Sequence, residues 1–187
     1  NPKPGEKILE IGAAPGSKTS QMAQLMKNKG EILANDISDE RLAILKKAIK
    51  RLGIKIVKTY LGDGSVLGNK YQEQFDRVLV DAPCSNEGII RYKPHKFFEW
   101  NLLSIHHLNE VQQNLLESGF KALKPGGALV YSTCSFGPEE NEEIVDSLLK
   151  RYPSADIKPI KFKNVKVRAG LGRWDNYEFD QRLKHAV

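Results

Sequence analysis

The chain has 187 residues, 40% of them hydrophobic and 28% charged, with a formal net charge of +6. That composition excludes a disordered or membrane-spanning chain and allows one domain with a sizeable core; nothing at the start reads as a secretion signal. Two cysteines and four scattered histidines form neither a disulfide framework nor a metal-ligand spacing, so a reducing, intracellular (cytoplasmic) setting is expected, with no metal and no membrane.

The opening "NPKPGEKILEIG" starts close to the first strand, as a fragment would. "KILEIG" (7–12) predicts a strand ending at Gly12, and "AAPGSKTSQMAQLMKN" a helix with Met22, Leu25 and Met26 on one face. "EILAND" (31–36) predicts a second strand, ending in Asp36. "SDERLAILKKAIKRLG" (38–53) predicts a helix with Ser38 as N-cap, a stripe of Leu42, Leu45, Ile49 and Leu52, and Gly53 at its C-terminus. Arg41 at the third helical position rules out a capping box.

Further strands are predicted at "KIVKTYL" (55–61), "FDRVLVDA" (75–82) and "ALVYSTC" (128–134). One helix is predicted over about 103–123, ending in "LKPGG", and another over "GPEENEEIVDSLLKRYP" (137–153), with acids in its first turns favouring the macrodipole. From Asp156 onward, lysines mix with isolated apolar residues up to "RLKHAV", and no element is predicted. Strand and helix alternate, which argues an α/β doubly wound, mostly parallel sheet.

Ligands of such sheets bind beyond the carboxyl ends of the strands, near the point where strand order reverses. The first turn, "GAAPGSKT", has Gly12 and Gly16 for tight geometry, followed by a helix N-terminus. It is neither GxGxxG nor a P-loop, and Pro15 removes an amide donor, which suits a pyrophosphate poorly. Asp36 ends the second strand, placed to accept from ribose hydroxyls. Asp63 in "LGDGS" and Asp81 follow the third and fourth strands. Asp and Gly are common in strand-end turns, but four successive loops offering one or the other fit a nucleoside carrying a positive sulfonium, such as S-adenosylmethionine.

Both cysteines lie just past apolar runs, Cys84 in "VLVDAPCSNEG" and Cys134 in "LVYSTCSFGPEEN". Together with "GAAPGSKT", "NDISDERL" and "GDGS", these stretches resemble the Nop/Sun family of RNA (cytosine-5) methyltransferases from about residue 4 to about 153. The resemblance implies a Rossmann-like class I methyltransferase fold with an antiparallel last strand. By this reading residues 1–187 are one catalytic domain, lacking its last strands and an N-terminal RNA-binding region. It also implies S-adenosylmethionine held by Gly12, Ala13, Ala14, Pro15, Gly16, Ser17 and Lys18, with Asp36, Arg41, Asp63 and Asp81. Ser17, and also Asn86, stand where the family has Gly, usually or often; no loss of activity is expected from either.

Cytosine C5 is a poor nucleophile. A thiolate adding to C6 makes it enamine-like, so that C5 can attack a sulfonium methyl; a base then removes the C5 proton and elimination frees the enzyme. Asp81 is the candidate to stabilise charge near N3. Chemistry alone does not say which cysteine attacks. The resemblance assigns attack to Cys134 and release of the adduct to Cys84, and it implies tRNA or rRNA as partner, a monomer, and a nucleolar setting in a eukaryote. Ser85 after Pro83-Cys84 argues against a DNA cytosine enzyme, and Asp81-Ala82-Pro83-Cys84 against an N6-adenine enzyme. A non-enzymatic RNA-assembly factor is the third rival. Lys18, Arg91 and Lys93 are candidate phosphate contacts; His95, His106 and His107 read as surface or packing residues, and Phe97, Phe98 and Trp100 as core before base-stacking groups.

Overall fold

The computed structural model describes residues 1–160 and 166–185, without the side chains of 96, 98 and 99. The reading of Phe98 and the last two residues of "RLKHAV" therefore lie outside the described residues. The chain forms two compact units, residues 1–83 with 114–132, and residues 84–113 with 133–187.

The first unit is built on five parallel strands: β1 (Lys7–Ile11), β2 (Glu31–Asp36), β3 (Val57–Leu61), β4 (Phe75–Asp81) and β5 (Leu123–Ser132). Their order is β3-β2-β1-β4-β5, so strand order reverses between β1 and β4. Helices α1 (Ser17–Leu25), α2 (Asp39–Arg51) and the one-turn α3 (Leu67–Lys70) connect the strands. α4 (Leu102–Ala122) begins in the second unit and leads into β5. The central strands are nearly continuous apolar runs, as a sheet covered on both faces requires; Ile8, Leu9, Ile11, Ile32, Ala34, Val78 and Val80 are buried.

Local chemistry sets the boundaries. Ser38 caps α2 by accepting from the Arg41 amide at 3.3 Å, and Gly53 at φ 65 closes it beyond Leu52. The predicted apolar stripes are narrower than expected. Leu42 and Leu45 are buried, but Leu52 is half-exposed; on α1, Ala23 and Met26 turn inward while Leu25 faces out. β5 starts earlier than predicted because Leu123 already pairs with Phe75. The register then skips from Leu123 to Ala128 opposite Phe75 and Arg77, so "KPGG" bulges out between paired residues instead of ending the helix.

The second unit holds the loop after β4, two 3-10 segments (Glu87–Ile89 and Pro94–Glu99), the start of α4, and the loop after β5. It also contains α5 (Glu142–Arg151) and a two-stranded antiparallel hairpin, β6 (Arg173–Trp174) and β7 (Tyr177–Glu178). The predicted helix over 137–153 is broken. A 3-10 turn, Pro138–Glu140, precedes α5, and Asn141 between them is at φ −123, ψ −86. Its side chain bonds the preceding loop instead of continuing a helix: Nδ2 donates to the carbonyls of Ser135 and Gly137, and Oδ1 accepts from Thr133. The segment after Asp156 is ordered in part by the buried carboxylate of Asp146, which accepts from Tyr177 Oη and the Asp180 amide and pairs with Lys150.

Candidate active site

The carboxyl edge of the first unit carries the predicted cofactor residues. Gly12 ends β1 at φ 77, and a Cβ there would lie 2.2 Å from the Asp81 carbonyl oxygen, so only glycine lets β1 and β4 approach this closely. The Ala13 amide donates to Asn35 O, the Gly16 amide to Ala13 O, and the Ala14–Pro15 bond is cis. Gly16, at φ 105, packs on Leu45 and opens α1, whose first turn has no side-chain cap. The N-terminal amides of α1 are therefore left to a ligand or water.

Asp36 is fixed from three sides. Its carboxylate accepts from the Ala14 amide at 3.1 Å and the Ser38 amide at 3.0 Å, and pairs with Arg41 at 3.1 Å. Arg41 also donates to the Ala14 carbonyl. The Asp36 side chain is only 1% exposed whereas that of Arg41 is 52% exposed, so the arginine is the outer layer of this pair. Asp63 is exposed and caps the short 3-10 turn by accepting from Ser65 N. Asp81, at the end of β4, pairs with Lys18 at 2.5 Å and accepts from Ser132 Oγ at 3.1 Å. Ser17 is exposed at the start of α1.

One acid at this edge escaped the sequence reading. Glu10 on β1 is fully buried; Oε2 accepts from Thr19 Oγ1 at 2.6 Å, and Oε1 has no hydrogen-bond partner. Burial first, and the charge of Asp81 to a lesser degree, push its pKa up to about 8, against the lowering effects of Thr19 and Lys18. The signal was available: an acid inside a run of buried aliphatics is an expensive choice for a strand.

The second unit holds both thiols. Their Sγ atoms are 2.9 Å apart, with Cys84 buried and Cys134 exposed, and no disulfide joins them. The Cys134 amide donates to Cys84 Sγ at 3.2 Å, Cys134 Sγ donates to Asn86 Oδ1 at 3.3 Å, and Gly88 N donates to Cys134 O at 2.7 Å. A Cβ on Gly88 would come within 2.8 Å of that carbonyl. Asn86 adopts the left-handed conformation, φ 64, which asparagine tolerates better than most residues.

Two acids that were not singled out lace these loops together. Glu87, three residues after Cys84, accepts on Oε2 from Ser135 Oγ and from the amides of Phe136 and Gly137, and on Oε1 from Trp100 Nε1. Burial would raise its pKa, but those four donors outweigh it and hold the carboxyl below its ordinary range. Conversely, the buried Glu140, beyond Cys134, accepts from the Ser85 amide and from Gln112. Trp100 thus has a polar partner and is 40% exposed, and Phe97 is 64% exposed, so neither is the core residue expected. Arg91, Lys93, His95, His106 and His107 are exposed. Among the described residues no group of three His, Cys, Asp or Glu is placed to hold a metal, and no helix is long and apolar enough to cross a membrane.

Residues 1–178 match the family model described as 16S rRNA methyltransferase RsmB/F. The chain belongs to that family. Its relatives include a tRNA (cytosine(49)-C(5))-methyltransferase of Pyrococcus abyssi, 42% identical over 188 residues, which covers all of this chain and 59% of that protein. A methyltransferase homologue from Pyrococcus horikoshii superposes with a TM-score of 0.84 at 36% identity, over 98% of this chain and 56% of that one. NSun6 from Pyrococcus horikoshii, solved with SFG, superposes with a TM-score of 0.74 at 35% identity, over 92% of this chain and 42% of that one. The RsmB/F-type chain thus spans just over half the length of the curated Pyrococcus relative. The sheet order and these likenesses establish the Rossmann-like class I methyltransferase fold.

Proposed function

We propose that residues 1–187 are the catalytic domain of an RNA 5-methylcytosine methyltransferase, which methylates cytosine C5 in tRNA or rRNA through a covalent adduct between Cys134 and C6. The observation that carries this reading is the thiol pair: two reduced cysteines 2.9 Å apart, one exposed and one buried, in loops leaving adjacent strands of a methyltransferase sheet. A tRNA cytosine-C5 methyltransferase and a 16S rRNA methyltransferase family among the likenesses support it, as does the binding of SFG, an S-adenosylmethionine analogue, to a relative.

When bound, S-adenosylmethionine supplies an electrophilic methyl group. In this proposal the backbone from Gly12 to Lys18 and the free amides of α1 hold the cofactor. Asp36 takes the ribose hydroxyls, exchanging part of its bond to the outer Arg41, and Asp63 lies toward the adenine. Asp81, acting as an acid, gives or shares a proton at cytosine N3, which neutralises the negative charge that sulfur addition pushes onto the ring, and Lys18 and Ser132 fix the position of its carboxyl group. Cys134 attacks C6 as the thiolate, which makes C5 nucleophilic toward the methyl group. Cys84, buried against Cys134, assists the elimination that breaks the S–C6 bond after the C5 proton has left.

The test is incubation of the full-length protein with tRNA and rRNA and a methyl-labelled cofactor. Label is expected at cytosine C5. Cys134→Ala abolishes it, whereas Cys84→Ala accumulates a protein–RNA adduct that survives denaturing electrophoresis. Absence of label at C5 while the cofactor binds, or an active Cys134→Ala protein, would sink the proposal.

A further inference from the structure

We propose that Glu87 is a positioning residue for Cys134, holding the loop from Ser135 to Gly137 so that the Cys134 thiol is presented in one orientation. This rests on the reading of Cys134 as the nucleophile. One oxygen of the Glu87 carboxylate gathers the whole loop. Oε2 takes Ser135 Oγ at 3.0 Å, Phe136 N at 2.8 Å and Gly137 N at 3.0 Å. These are the three residues directly after Cys134.

The loop has no strand or helix ladder to satisfy those two amides. Gly137 N has one other acceptor, Ser135 Oγ at the longer distance of 3.3 Å, and Asn141 holds only the Ser135 and Gly137 carbonyls, so without Glu87 the Phe136 amide turns to water and the backbone directly after Cys134 is held less firmly. Phe136, between them, is 79% exposed and adds no packing to keep the loop in place. Hydrogen bonds to an ionised acceptor are stronger than neutral ones, and Glu87 is kept ionised by its donors. The far oxygen of Glu87 is pinned by Trp100 Nε1 at 2.8 Å, which sets the rotation of the carboxylate about its own axis. Asn86 and Gly88 on either side of Glu87 contact Cys134 themselves, through Asn86 Oδ1 to Sγ and Gly88 N to the carbonyl. Glu87 thus acts on the thiol only through the three residues that follow it, whereas Asn86 touches the thiol itself and Gly88 holds the Cys134 carbonyl.

The Trp100 contact gives a sharp test of this geometry. In Glu87→Gln one oxygen becomes an NH2 group, so either the loop amides or the indole N–H faces a donor. Trp100→Phe removes the indole donor, and Glu87→Gln combined with Trp100→Phe lets the amide oxygen face the loop with no donor clash. The full-length protein is used, with two readouts. One is methyl transfer, kcat and KM separately. The other is diamide-driven pairing of Cys84 with Cys134, followed by peptide mass spectrometry; two thiols lose two protons and two electrons to the diazene, which becomes a hydrazine.

Glu87→Ala is expected to lower kcat about 100-fold, the scale on which small misplacements of a reacting group act. Cofactor affinity should stay within about 3-fold, because all the Glu87 bonds, that to Trp100 included, lie within the second unit. Thiol pairing should slow at least about 10-fold as the loop samples other orientations. Glu87→Gln, whose clash falls on the loop or on the indole, should lie between the parent and Glu87→Ala, and the double variant should regain kcat to within about 5-fold of Trp100→Phe. Unchanged kcat and pairing in Glu87→Ala overturn the proposal, as does a double variant no better than Glu87→Gln. Parallel loss of cofactor binding and thermal stability also overturns it, because the role is then structural. If the parent protein binds cofactor yet transfers no methyl group, the nucleophile reading fails while the pairing rates still decide what Glu87 does to Cys134.

Discussion

In the first unit the candidate site residues stand at the ends of parallel strands. Gly12 follows β1, Asp36 and Asp81 close β2 and β4, and the strand ladders fix their relative heights. In the second unit Cys84 and Cys134 stand in loops outside any strand, and side chains do the fixing: Glu87 and Glu140 accept main-chain amides across the two loops, and Asn141 bonds the second loop to itself. A ladder is cooperative and tolerates side-chain change, so the cofactor edge is sensitive mainly to backbone clashes. The thiol loops depend on individual carboxylates and amides and are sensitive to single polar substitutions.

The largest effect that separates the two regions is expected from Gly12→Ala. The new Cβ meets the Asp81 carbonyl at 2.2 Å and the residue is held at positive φ. We expect cofactor affinity by calorimetry to fall at least about 100-fold. Diamide pairing of Cys84 with Cys134 should stay near the parent rate. A protein that binds cofactor within about 3-fold of the parent would show that the edge adapts and that the ladder argument is wrong.

Glu10 lies beneath that same edge and gives the next largest effect. Its folded pKa of about 8 lies above the unfolded value of 4.5. Between those values the folded state binds the extra proton, so stability is highest below pH 4.5 as far as this group is concerned and falls as pH rises through 8. The slope limit is about 1.4 kcal/mol per pH unit, for a total of a few kcal/mol. Glu10→Gln keeps an acceptor for Thr19 and removes the titration. In urea unfolding from pH 5 to pH 9, the parent should lose stability progressively relative to the variant. Parallel curves would mean that Glu10 is ionised throughout.

Asn141→Ala probes the loop side. It removes three side-chain hydrogen bonds, to Thr133, Ser135 and Gly137. We expect about 2 kcal/mol of destabilisation, with thiol pairing slowed and cofactor affinity unchanged. If cofactor affinity falls and pairing does not, the assignment of Asn141 to the thiol loop alone is overturned.

The same contrast explains what could be read from the sequence. The strand–helix alternation, the glycine turn and the strand-end acids follow from period, turn chemistry and position, so the sequence alone places Gly12, Asp36 and Asp81 at the edge. The break before α5 was not found, because acids after Gly137 fit a helical first turn as well as they fit a loop clamp. Only the three-dimensional course of the loop shows that Asn141 turns its side chain back and that Glu140 is buried against Ser85 and Gln112. Glu87 is hidden for a similar reason: three of its four partners lie about 50 residues away, and two of those are main-chain amides, which leave no mark in a sequence. Leu25 and Leu52 were misplaced because helical spacing gives a face but not its width.

The smallest effect tests where the cofactor edge ends. Ser38 caps α2 through a rather long bond, 3.3 Å to the Arg41 amide, so Ser38→Ala should cost about 0.5–1 kcal/mol in urea unfolding. Ser38 also donates its own amide to Asp36, but that bond is main-chain and survives the substitution. Arg41, whose guanidinium covers Asp36, starts from the amide that the cap holds. If the ladder and the Ala14 and Ser38 amides are what fix Asp36, cofactor affinity should change less than about 3-fold, because the carboxylate keeps two of its three partners. A loss near 10-fold would instead place the first turn of α2 inside the site and make Arg41, rather than the strand end, the element that sets the position of the carboxylate.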